Sequence, residues 1–307
     1  MALYKNMHEL IGNTPMVELE HINEELDAKI YAKLEFYNPS GNVKDRVGKA
    51  MIEDAEAKGL LKPGYTIIEG TAGNTGLGIA FAALGKGYRV IFVVPTKFSI
   101  EKQQLMMALG AEIINTPREE GMLGAARKAE ELLQSIPNAI ALRQFKNMSN
   151  PKAHYETTGP EIYKDMNGNI DYVVLGAGSG GTFTGIVKYL KEKKPDIKAV
   201  LADPIGSTIG GGEHAEYNIE GIGNDFVADT FDISLVDKVI KISDAQAFAG
   251  ARTLAKKEGI IAGSSSGAAF AAAKKLASEA PGKNIVIVLP DRGDRYFSTG
   301  LWEKKEK

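Results

Sequence analysis

The stretch DYVVLGAGSGGTFTGIVKYLKEKKPDIKAVLAD, residues 171–203, reads as an apolar strand, a glycine-rich turn, a helix near 181–194 and a second apolar strand near 197–203. Short β-branched runs joined through a helical segment are the pattern of a parallel sheet covered by helices. Outward from this unit the same alternation predicts strands near 65–69, 88–94, 111–115 and 284–289. Helices are predicted near 44–58, 74–85, 99–109, 120–136, 243–258 and 266–280. Ser99 and Ser243 stand where side chains cap helix starts, and Gly59 and Gly110 where helices end. The fold class is α/β. Residues 65–115 form a small sheet, those after 170 a larger one, and the irregular run from Gln144 to Pro151 is the return crossing.

A chain of 307 residues is long enough for about two domains, each burying its own core. Lysine and arginine total 37 against 39 acidic residues, a net charge of −2 that leaves no basic footprint for nucleic acid. The absence of cysteine removes thiol nucleophiles, disulfides and iron–sulfur ligation together. No run of 18 apolar residues and no secretory pattern at MALYKNMHELIGNTP are present, so no membrane partner and a cytoplasmic location are expected. The four histidines, at 8, 21, 154 and 214, show no paired spacing, and no metal is assigned.

Glycine collects in loops that follow strands, where backbone turns sharply or approaches a ligand. In NPSGNVKDR, residues 38–46, turn residues run into a helix whose first turn holds Lys44. Lys44 is either a solvated surface lysine or an amine of lowered pKa suited to Schiff-base chemistry. TAGNTGLG, residues 71–78, opens a helix either as an anion cradle or as a tight packing site. GAGSGGT, residues 176–182, again puts free amides at a helix start. Its Gly176, Gly178 and Gly181 spell GxGxxG, and Asp203 lies at dinucleotide-fingerprint distance, so an NAD(P)-binding oxidoreductase is the alternative from another class. Ser264 to Ser266 either cap the following helix or present a hydroxyl to a ligand.

Taken in order, IGNTP (11–15), NPSGNVKDR, TAGNTG (71–76), GMLGAA (121–126), QFKN (144–147), HYETTGPEI (154–162), GSGGT (178–182) and SSSGAA (264–269) resemble the cysteine synthase and cystathionine β-synthase family of fold type II pyridoxal phosphate enzymes. The resemblance spans nearly the whole chain and is closest to bacterial O-acetylserine-dependent cystathionine β-synthases. It implies two three-layer αβα domains with mostly parallel sheets, tryptophan synthase β-like: a large one from 1–43 and 148–307, and a small mobile one from 44–147. It also implies a homodimer.

By that resemblance Lys44 carries pyridoxal 5'-phosphate as an internal aldimine. Asn74 meets the ring hydroxyl, Gly178, Ser179, Gly180, Gly181 and Thr182 hold the phosphate, and Ser265 faces the pyridine nitrogen. Thr71, Ala72, Asn74, Thr75 and Gln144 clamp the substrate carboxylate, while Gly221 and Asp225 belong to the acceptor side. The implied reaction is β-replacement on O-acetyl-L-serine or L-serine, through an aminoacrylate, with homocysteine giving cystathionine. Cysteine synthase chemistry with sulfide is its alternative. Asn224 and Asp225, in GIGNDF at 221–226, are expected to receive the homocysteine ammonium end. Two positions depart from the family pattern: Ala72 and Asn42 stand where serine is common.

Overall fold

The computed structural model describes residues 3–71, 73–96 and 98–303. Its strands are β1 (Met16–Glu18), β2 (Lys29–Leu34), β3 (Thr66–Gly70), β4 (Arg89–Pro95), β5 (Glu112–Thr116), β6 (Ala139–Ile140), β7 (Tyr172–Leu175), β8 (Lys198–Pro204), β9 (Lys238–Ile242) and β10 (Asn284–Leu289). The α-helices are α1 (Glu20–Asn23), α2 (Lys44–Ala57), α3 (Asn74–Ala83), α4 (Ile100–Ala108), α5 (Gly121–Ser135), α6 (Ser149–Ala153), α7 (Gly159–Asp165), α8 (Gly181–Lys193), α9 (Asp244–Glu258) and α10 (Ser264–Ala277). A π-helical turn, His154–Thr158, joins α6 to α7.

These strands form two sheets, one ordered β5-β4-β3-β6 and one ordered β1-β2-β10-β7-β8-β9. All neighbours are parallel except β1 and β2. The small sheet alternates its side chains between two cores, as a pleat of period two requires. Ile67, Val90, Phe92 and Val94 pack under α2 and α3, while Ile68, Ile91 and Val93 face Ala125 and Ala129 of α5. The large sheet does the same. Ile285, Ile287 and Leu289 lie against α9 and α10, and Val286 and Val288 against α7 and α8. Each sheet is thus the middle of three layers, the α/β architecture expected.

The predicted helix boundaries hold to within a few residues. Ser99 accepts from Lys102 N–H, Ser243 completes a capping box with Gln246, and Gly59 and Gly110 take the left-handed conformation, φ +69° and +87°. The sequence reading missed β1, β2, β6, β9 and the α6–α7 segment. It also started α10 two residues late: Gly263 is the N-cap, and Ser264, Ser265 and Ser266 lie inside the first turn. Among the described residues no helix is long and apolar enough to cross a membrane.

The chain passes β7, β8 and β9 in one direction and returns to place β10 on the other side of β7, so the strand order reverses at the β10–β7 pair. At such a reversal the helices leave to opposite faces and open a crevice at the carboxyl ends of the strands. The candidate site lies there.

Candidate active site

Lys44 reaches the crevice because the NPSGN turn is bound to the end of β10. Val43 N–H donates to Pro290 O at 2.8 Å, and Asn42 and Asp291 form an isolated β-bridge. Asn42 is fully buried, and its Oδ1 accepts from Lys44 N–H at 2.9 Å, satisfying one of the free amides at the start of α2. Asn42, standing where serine is common, thus holds the backbone of the lysine itself. Loss of hydration lowers the Lys44 pKa to about 8, against the opposing pull of the Asp291 and Glu35 carboxylates. Of the two readings left open for this lysine, the solvated surface residue is excluded.

One cavity is lined by Lys44, Asn74, Gly178, Ser179, Gly180, Thr182, Gly221 and Ser265, with the ends of β7 and β10 as its floor. Gly180 is the N-cap of α8 in the left-handed conformation, φ +79°, and gives the helix no side-chain cap. The first-turn amides of α8 are consequently free to meet an anion. Side chains would close this loop: a Cβ on Gly178 would overlap Gly221 O, and one on Gly181 the Asn150 amide. Bonds from behind hold it in place. Asn150 Nδ2 donates to Ser179 Oγ at 2.9 Å, Thr230 Oγ1 to Ser179 O at 2.5 Å, and Asn224 Nδ2 to Gly178 O at 2.8 Å.

His154, one of the four histidines without paired spacing, is fully buried behind the same loop. Its Nε2 lies 3.1 Å from Thr182 Oγ1 and its Nδ1 2.8 Å from Thr158 Oγ1. Desolvation, with Lys44 and Arg46 nearby, depresses its pKa well below the ordinary histidine value, so the ring is neutral at pH 7. A π-turn carrying a histidine four residues before a threonine is the only local signal that could have marked it.

Across the cavity, Asn74 opens α3. Thr75 Oγ1 donates to Gln144 Oε1 at 2.5 Å, so these two expected clamp residues meet, although they, Thr71 and Gly181 lie outside the cavity lining. Thr71 is buried, its N–H bonded to Val93 O at 3.1 Å. Ala72 lies outside the described residues. Glu69, another residue passed over in the sequence, accepts backbone N–H bonds from Leu142, Arg143 and Gln144 and so fixes the segment that carries Gln144. In the loop after Gly221, Asn224 Nδ2 donates to Gly178 O, and the next residue, Asp225, is exposed and lies outside the cavity lining. Asp203 is unavailable to a ribose: it is buried, bonded by Gly210 N–H at 3.0 Å and paired with Lys241 at 2.5 Å.

A recessed amine of lowered pKa, an uncapped helix start lined with glycine and a buried, unpartnered Asn74 Oδ1 thus share one cavity, a set that fits a planar carbonyl compound bearing a phosphate. The chain is 48% identical over 304 residues to the O-acetylserine dependent cystathionine beta-synthase of Bacillus subtilis (strain 168), covering 99% of both chains. It is 46% identical over 299 residues to a cysteine synthase of Helicobacter pylori (strain J99), covering 96% of this chain and 98% of that one. Its fold superimposes with a TM-score of 0.94 on the crystal structure of an O-acetylserine dependent cystathionine beta-synthase from Helicobacter pylori, at 45% identity over 98% of this chain and 100% of that one. The family described as pyridoxal-phosphate dependent enzymes matches residues 7–291, and with it the dinucleotide alternative falls: the chain belongs to this family and is an enzyme whose cofactor is pyridoxal phosphate.

Proposed function

We propose that the protein catalyses β-replacement on O-acetyl-L-serine, or L-serine, with homocysteine as the acceptor and cystathionine as the product. The observation that carries the reading is the convergence of Lys44, Asn74, Ser265 and the loop of Gly178, Ser179, Gly180 and Thr182 on one cavity. Lys44 would hold the cofactor, the amides from Gly178 to Thr182 its phosphate, Asn74 its ring hydroxyl and Ser265 its ring nitrogen. When bound, pyridoxal phosphate supplies an electron sink for the Cα–H bond that breaks. Ser265, a neutral hydroxyl, would leave the ring nitrogen largely unprotonated and so favour elimination over transamination.

Once the donor's own amino group has taken its place on the cofactor, the freed Lys44 amine, its pKa lowered to about 8, takes the Cα proton as acetate, or water from L-serine, leaves Cβ. It returns that proton once the thiolate has bonded to Cβ. Thr71, Asn74, Thr75 and Gln144 would hold the donor carboxylate, with Gln144 oriented by Thr75 and Glu69, so that the Cα–H bond faces Lys44. Gly221 borders the acceptor end of the cavity.

The likeness to the Bacillus subtilis enzyme over nearly its full length supports homocysteine. The likeness to the Helicobacter pylori cysteine synthase supports sulfide as the second reading. Steady-state assays with O-acetylserine and either thiol test the choice. A larger kcat/KM with homocysteine is expected, and a larger value with sulfide would overturn the acceptor while leaving β-replacement standing.

A further inference from the structure

Behind the cavity a second polar chain runs back from Asn74. Asp291, next to the cavity-lining Pro290, is completely buried. Its Oδ2 accepts from Asn74 Nδ2 at 2.8 Å and from Tyr296 Oη at 2.7 Å. Tyr296 is buried as well and accepts from Lys102 Nζ at 3.1 Å, the ammonium lying 4.3 Å from the centre of its ring. Lys102, also buried, pairs with Glu220 Oε2 at 2.6 Å. Glu220 N–H donates to Ser264 Oγ at 3.0 Å, and the following residue, Gly221, lines the cavity. Asn74 and Lys102 come from α3 and α4, which flank the small sheet, and the remaining residues from the side of the large sheet.

The chemistry of this chain has a direction. A carboxylate only accepts hydrogen bonds, so Asp291 can hold Asn74 only through the amide nitrogen. With the amide turned over, its oxygen would oppose the carboxylate. One Nδ2–H is therefore fixed on Asp291, and the other Nδ2–H and the unpartnered Oδ1 are presented in a set order. Tyr296, itself held by Lys102, keeps the carboxylate in place.

We propose that Asp291 is a positioning residue for the reaction: it sets which end of the Asn74 amide meets the group held at Lys44. Through Tyr296, Lys102 and Glu220 it ties that orientation to the loop bordering the acceptor end of the cavity. The proposal rests on Asn74 being a cofactor contact.

The test compares the wild-type holoenzyme with Asp291→Asn and Tyr296→Phe. In Asp291→Asn a side chain of the same shape can donate as well as accept, so Asn74 is free to turn. Borohydride reduction should still trap the cofactor on Lys44, while the visible circular-dichroism band of the bound cofactor changes. The kcat should fall by about tenfold or more, with the donor KM moving less than about threefold, the mark of an interaction made in the transition state. Tyr296→Phe keeps the ring and removes one donor, and should give the same spectral change at smaller amplitude. If Asp291→Asn does not fold, Tyr296→Phe decides by the same criteria. An unaltered band and a kcat within about twofold in the loaded variants would overturn the proposal, whatever happens to thermal stability. Absence of any adduct on Lys44 in the wild type is a different result, which removes the cofactor assignment underneath and the proposal with it.

Discussion

Lys44 and His154 are both deprived of water, and both respond by giving up protons more readily, because burial disfavours their charged forms. At Lys44 this produces a usable base. At His154 it produces a neutral ring that can accept from or donate to Thr182 without placing a further charge behind the loop. The same shift has a thermodynamic consequence. The native histidine binds a proton less readily than the unfolded one, so as pH falls below about 6.5 the unfolded state holds more protons and stability declines. Asp45, whose carboxyl is pushed up to about 6 by burial, titrates in the opposite sense. It is common to both proteins when wild type is compared with His154→Gln. Denaturant midpoints between pH 5 and 7.5 should therefore show a limb in the wild type, of up to about 1.4 kcal/mol per pH unit, that the variant lacks. Parallel pH profiles would contradict this.

At the scale of elements, the glycines of TAGNTGLG divide by position rather than by loop. Asn74 lines the cavity, whereas Gly76 faces Met106 and Gly78 lies against the first turn of α2, where a Cβ would overlap the Lys44 carbonyl. Gly78→Ala is expected to push α3 off α2, at a cost of about 1–3 kcal/mol in urea unfolding, and to lower kcat by moving Lys44. A variant with unchanged stability and kcat would show the contact to be unimportant. Elements with clean apolar runs, such as β4 and β10, were legible in the sequence. β2 and β9 were not, because lysines interrupt them. Lys33 reads as a solvent-facing residue yet is fully buried, its Nζ donating to Thr14 O at 2.7 Å and paired with Glu161 at 2.9 Å. The α6–α7 segment was hidden by Pro151, Gly159 and Pro160, which punctuate it like a loop while sitting in the first turns of α6 and α7, where they are tolerated. The glycine and serine loops of the site were legible because each is a local cluster. Glu69, Asn150, His154 and Asp291 were not, since each is a single residue acting on partners far along the chain, Asp291 on Asn74 at a separation of 217 positions.

In the molecule as a whole, two three-layer units meet where α2 begins, so Lys44 lies at their junction. The helix that carries it packs in the core of the small sheet, while the turn before it is bonded to β10 of the large one. We propose that residues 44–147 move as a unit over the bound donor. Small-angle scattering of the holoenzyme should show a smaller radius of gyration with an unreactive donor analogue than without, and an unchanged radius would argue against closure. All of this depends on the lysine at the junction being the point of attachment. The most direct measurement is borohydride reduction of the holoenzyme followed by peptide mass mapping. The account predicts the cofactor adduct on the peptide containing Lys44, and no adduct in Lys44→Ala. An adduct on any other lysine, or none in fully loaded wild-type protein, would contradict it.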